Sequence, residues 1–130
     1  MKRHREKAEI LLKKAKQDVD LLDAVISNLN VADDIFGFHA QQAAEKYLKA
    51  LLSHFQISFK HTHNLRSLME LLAKAGQPLP TDLADLDTLT PFGTLARYEE
   101  GDSSSPLDRK QTRELIRKTA TWVEQSIQAP

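Results

Sequence analysis

The sequence predicts an all-α fold, an antiparallel up-and-down bundle of four main helices with a short helical insertion. Three observations predict it. Apolar residues recur at spacings of three and four along nearly the whole chain, the period of a helix face. No segment carries the alternating pattern of a strand. Start and stop signals at Gly76-Gln77-Pro78, Thr90-Pro91 and Ser105-Pro106 cut the pattern into helix-sized lengths. With 130 residues, the expectation is one domain over 1–130, large enough to bury a core without disulfides or metal.

The first helix is placed over residues 5–29. Ala8, Leu11, Ala15, Val19, Leu22, Ile26 and Leu29 form its apolar face, widened by Ile10, Leu21 and Val25. Asn28 and Asn30 weaken its end, because asparagine favours turns. Asp33 or Asp34 is the expected cap of the second helix. There two adjoining stripes, one from Phe36 to Leu51 and one from Ala44 to Phe55, imply burial around much of the circumference. Ala40, Ala43, Ala44 and Ala50 let neighbouring helices approach closely, so this helix reads as the central one. Asn64 caps a third helix that turns Leu65, Leu68, Met69 and Leu72 inward and stops at Gly76.

Thr81 begins a short helical piece with Leu83, Leu86 and Leu89, and Pro91 starts another that runs to Tyr98. Residues 102–105, Asp-Ser-Ser-Ser, read as a loop. Ser105 as cap, Pro106 at the first helical position and Asp108 in the first turn announce the last helix. Leu115, Ile116, Thr119, Ala120, Val123 and Ile127 give it an apolar face, with Trp122 at the edge.

Composition narrows the function classes. Lys plus Arg equals Asp plus Glu at 18 each, which argues against a chain coated by nucleic acid. Charge is nevertheless uneven. Residues 1–16 carry seven positive and two negative side chains, whereas residues 80–102 carry one positive and six negative. A basic first helix suits RNA, an acidic partner, or plain solvation. There is no cysteine, so a disulfide framework and a thiolate zinc site are excluded. No apolar run nears the roughly 18 residues of a membrane span, and no apolar signal core follows the basic start. The expectation is a cytoplasmic protein with no membrane contact.

Two stretches carry candidate chemistry. Gln42, Glu45, Lys46 and Lys49 share one side of the second helix. The strip is either a stabilising Glu45–Lys49 pair or a surface that holds phosphate or a partner. Arg97-Tyr98 sets a planar guanidinium fork beside a phenol, a pair suited to phosphate or carboxylate and to stacking. His61-Thr62-His63 lacks the further ligands a zinc site needs, so no metal is expected, and His63 is placed at the start of the third helix. No serine sits in a glycine-flanked elbow, and the four glycines form no phosphate loop.

The segment Gln42-Ala43-Ala44-Glu45-Lys46, with Lys49-Ala50, His63-Asn64-Leu65 and Ala96-Arg97-Tyr98, resembles the HEPN family of small helical nucleotide-binding domains. The resemblance covers most of the chain. It implies a homodimer with a cleft near the dimer seam and, for many members, a minimal nucleotidyltransferase partner, in some cases as a toxin–antitoxin pair. Other members cleave RNA without metal, using an arginine, then four to six residues, then a histidine. That spacing is missing here, and no histidine follows Arg97. The chain therefore reads as a nucleotide- or RNA-binding subunit, not catalytic by itself and without a cofactor. Its ligand-contacting residues are Lys46, Lys49, His63, Arg97 and Tyr98. The alternatives are a metal-independent ribonuclease with a rearranged site and a purely structural dimer.

Overall fold

A computed structural model describes residues 2–93 and 107–129. Its elements are α1 (Lys2–Val25), α2 (Asp33–His54), α3 (Leu65–Lys74), a 3-10 segment (Thr81–Gly93) and α4 (Arg109–Gln128). No strand occurs among the described residues, and the chain is an all-α bundle. Arg97, Tyr98, the 102–105 loop, and Ser105 and Pro106 lie outside the described residues.

α2 is the central element and packs on every other one. Its alanines explain why. Ala40, Ala43, Ala44 and Ala50 are fully buried, and each lets a neighbour come close. α1 runs antiparallel to α2. Arg3 and Lys7 at its start line a cavity with Ser53 at the end of α2, while Asp18 further along meets His39 and Lys46. α4 runs antiparallel to α1: Arg113 pairs with Asp23, while Glu124 shares a cavity with Leu12. The core joins Ala15 and Leu22 of α1 to Phe36, Leu48, Leu51 and Leu52 of α2. Leu65, Leu68 and Leu72 of α3, and Ile116 and Val123 of α4, complete it.

Several boundaries differ from the sequence reading. α1 ends at Val25, four residues short, because the Asn28 carboxamide accepts from Asn30 N at 3.0 Å and turns the chain. Leu29 is consequently 90% exposed instead of lying on the apolar face. Ile10 and Leu21 are also exposed, so the face of α1 is narrower than predicted. α2 has Ala32 at its cap, with no side-chain cap bond, and Asp33 and Asp34 occupy its first turn. There their charge still faces the positive end of the helix. Asp108, not Ser105, caps α4, its carboxylate accepting from Gln111 N at 2.9 Å.

Other signals match the structure. Asn64 caps α3 by accepting from Ser67 N. Gly76 takes a φ of 83° just beyond α3, where Gln77 N bonds back to Leu72 O at 2.8 Å. Thr81–Gly93 forms one continuous 3-10 segment, with Pro91 inside it instead of opening a new piece.

Candidate functional site

Four polar residues are buried along one row of α2: Gln41, Glu45, Lys49 and Ser53. They recur every fourth residue, so each side chain lies over the preceding turn. At the centre is Glu45, 5% exposed. Its Oε1 accepts from Gln41 Nε2 at 3.0 Å and faces His63 Nδ1 at 2.8 Å. Its Oε2 accepts from Lys49 Nζ at 2.8 Å. Gln41 Nε2 also donates to the His63 carbonyl, tying α2 to the loop that leads into α3.

Burial alone pushes the Glu45 carboxyl up, but hydrogen bonds from Lys49, His63 and Gln41 outweigh it and hold the carboxyl below its ordinary value. Glu45 is thus ionised at neutral pH. An ionised carboxylate only accepts, so the hydrogen between Glu45 and His63 belongs to Nδ1. That fixes the ring and leaves Nε2 as its other polar atom. The His63 side chain is 48% exposed, unlike its partner at 6%. The result is an imidazole at the surface, aimed by a buried carboxylate. Such a group can bind a phosphate or move a proton.

A second cluster lies across α1 and α2. Asp18 receives Lys46 Nζ at 2.6 Å and faces His39 Nδ1 at 3.1 Å. Lys46 and Lys49 therefore do not act as one basic strip. Lys46 turns to α1, and Lys49 is nearly buried against Glu45. The expected strip of Gln42, Glu45, Lys46 and Lys49 splits in two. At its margin Gln42 Nε2 donates to the Gln41 side-chain Oε1. Of the five predicted ligand residues, the structure brings Lys49 and His63 together on Glu45 and sets Lys46 apart. Arg97 and Tyr98 fall outside the described residues.

The 3-10 segment closes on this row. A Cβ at Gly93 would meet the Gln41 carboxamide at 2.7 Å, and one at Gly37 would meet the Phe92 ring at 2.3 Å. A side chain at either position would force the facing Gln41 or Phe92 side chain to move. Gly93 thus delivers the chain beside Gln41, four residues before Arg97.

Sequence reasoning missed Gln41, Asp18 and His39. A signal for Gln41 was present: Gln41, Glu45, Lys49 and Ser53 interrupt an Ala- and Leu-rich helix at constant spacing. Nothing local marks Asp18 or His39, whose partners lie 21 and 28 residues away in the chain. The His61 and His63 rings stand edge to face, 5.5 Å apart. Among the described residues no group of three or more His, Cys, Asp or Glu is placed to hold a metal ion. No described helix is long and apolar enough to cross a membrane.

The described residues form a small all-α bundle organised on one alanine-rich helix, with a buried carboxylate aiming a surface histidine. Comparison with known families matches residues 1–126 to the HEPN domain, and the chain belongs to that family. This membership points to a nucleotide- or RNA-related function. No curated protein and no solved structure matches the chain.

Proposed function

We propose that the chain is a nucleotide- or RNA-binding HEPN subunit, a homodimer that works with a minimal nucleotidyltransferase, as in a toxin–antitoxin-like module. The observation that carries the binding role is the Glu45–His63 pair. A carboxylate buried with three donors spends desolvation to orient one ring that is half in solvent. A merely structural ion pair needs no exposed partner. Lys49 keeps Glu45 charged, so it acts on the ligand through Glu45 and His63. Lys46 is a quarter exposed and adds positive potential nearby. Arg97 and Tyr98 supply the phosphate fork and the ring. Arg97 follows Gly93 by four residues, a chain length of at most ~14 Å.

The dimer is supported by exposed apolar side chains around the α1–α2 turn, Leu21, Leu29 and Ile35. The nucleotidyltransferase partner is proposed because many members of the HEPN family pair with one. Co-expression with a small nucleotidyltransferase encoded beside this chain should yield a co-purifying complex. Nucleotide or RNA should bind the chain and be lost in Arg97→Ala. Absence of both a complex and any binding overturns the proposal.

A second reading, a metal-independent ribonuclease, is favoured by the same Glu45–His63 geometry, which resembles a base held by its orienting acid. It requires RNA to be cut in EDTA by the purified chain and spared by His63→Ala. RNA left intact over hours removes this reading and leaves the binding role standing.

A further inference from the structure

Because α1 and α2 are antiparallel, the first turns of α1 lie beside the last turn of α2. A cavity of about 280 Å³ opens there, lined by Arg3, His4, Lys7, Ser53, Ser58 and Phe59. No Asp or Glu is among its described lining residues. Lys7 Nζ stands 4.8 Å from the Phe59 ring centroid, where the ring face attracts a cation. Neither Arg3 nor Lys7 forms an ion pair among the described residues. Ser53 is 3% exposed, and its Oγ has no hydrogen-bond partner among the described residues. It is the last member of the polar row of α2, and the only one without a side-chain partner among the described residues. A buried hydroxyl without a partner costs stability and calls for an explanation.

We propose that this cavity is a phosphate site, distinct from the Glu45–His63 cluster, that takes the terminal phosphate of a nucleotide or of an RNA strand. Two cations without an ion pair among the described residues match the two charges of a phosphomonoester better than the single charge of a carboxylate or a phosphodiester. Arg3 supplies a planar fork, Lys7 a point charge, and Ser53 and Ser58 hydroxyl donors. The volume suits a phosphate and little more, since pockets for larger ligands begin at roughly 300 Å³. A second cavity of about 770 Å³ shares Ser58 and Phe59 with it and reaches Lys60, His61 and Lys74. The remainder of the ligand lies there, beyond Phe59. The site uses none of the residues of the Glu45–His63 cluster, and its choice of a nucleotide or RNA terminus rests on the function proposed above.

The test is amide NMR of the full chain titrated with inorganic phosphate. Saturable shifts are expected at residues 3–7, 53, 58 and 59. Lys7→Ala and Ser53→Ala should each weaken phosphate by about 3- to 10-fold. Ser53→Ala should not lower the melting temperature, because its hydroxyl has no bond to lose. Lys14→Ala, on the exposed face of α1, is the control. Titration with AMP and with an RNA oligomer bearing a 5′-phosphate or a 5′-hydroxyl separates the two sources. Tighter binding of AMP with added shifts at residues 67–74 assigns a nucleotide. Preference for the 5′-phosphorylated RNA assigns an RNA end. Shifts that never saturate, equal weakening by Lys14→Ala and Lys7→Ala, or an unchanged affinity in Ser53→Ala overturns the proposal.

Discussion

At Arg109 one guanidinium reaches four acceptors: the Asp33 carboxylate and the carbonyls of Val25, Asn28 and Val31. It also lies over the Phe36 ring, 5.3 Å from the centroid. A single side chain of α4 thereby fastens the α1–α2 turn that Asn28 begins. Removing it leaves carbonyls unsatisfied in a partly buried place, so Arg109→Ala should cost about 2–4 kcal/mol in chemical denaturation. Arg113→Ala is the contrast. Its partner Asp23 is half exposed, and its loss should cost under about 1 kcal/mol. Equal costs for the two variants would contradict this account.

Glu45 supplies a pH prediction at the same scale. Its folded value lies below the ordinary 4.5, so its contribution is present above 4.5 and is lost as pH falls from there through the folded value. Acid titration of stability should show that loss in the native chain and a smaller one in Glu45→Gln. At pH 7 Glu45→Gln should be destabilising by roughly 3 kcal/mol, because Lys49 stays buried without its counter-charge. A titration curve identical in the two proteins would rule out Glu45 as the source. The sequence displayed Glu45 and Lys49 as a helical pair. It could not display that the pair is buried, because burial depends on His63 and the loop that arrives from 18 residues further on.

Among elements, the contact between α2 and the 3-10 segment is the most constrained. Gly37→Ala places a methyl group against the Phe92 ring. Alanine gains up to about 1 kcal/mol of helix propensity, but overpacking costs about 1–3 kcal/mol, so the net effect should be destabilising. Thermal melts of Gly37→Ala alone and with Phe92→Leu should show loss and partial recovery. A Gly37→Ala protein more stable than the native chain would mean that the segment moves aside freely. The helices themselves were legible, since period and caps such as Asn64 and Gly76 are local. The ends of α1 and α4 were not. Asn28 turns the chain by its own side chain, and Asp108 outcompetes a Ser-Pro signal because its carboxylate faces the Gln111 amide. The approach of Gly93 to Gln41 was also hidden, since a glycine's neighbour is fixed only by tertiary packing.

Over the whole molecule, the neutral total conceals an uneven distribution of charge. The basic start of α1 borders the cavity at Ser53, and the buried row of α2 runs from there to Gln41 and Gly93. A basic first helix and a polar helix face, separate features of the sequence, meet in the fold at the Ser53 end of α2. The family was legible because its motifs sit in order on a helical pattern. Which cations remain open to a ligand was not, because Lys46 and Lys49 look equivalent in sequence and differ only in the carboxylate each one meets.

The most direct test of the binding role is calorimetric titration of the full chain with a nucleotide and with a short RNA, beside His63→Ala and Arg97→Ala. The account predicts saturable binding by the native chain and an affinity at least about tenfold weaker in each folded variant, as loss of a charge-assisted contact implies. Equal affinity in all three proteins, or no binding by the native chain, would contradict it.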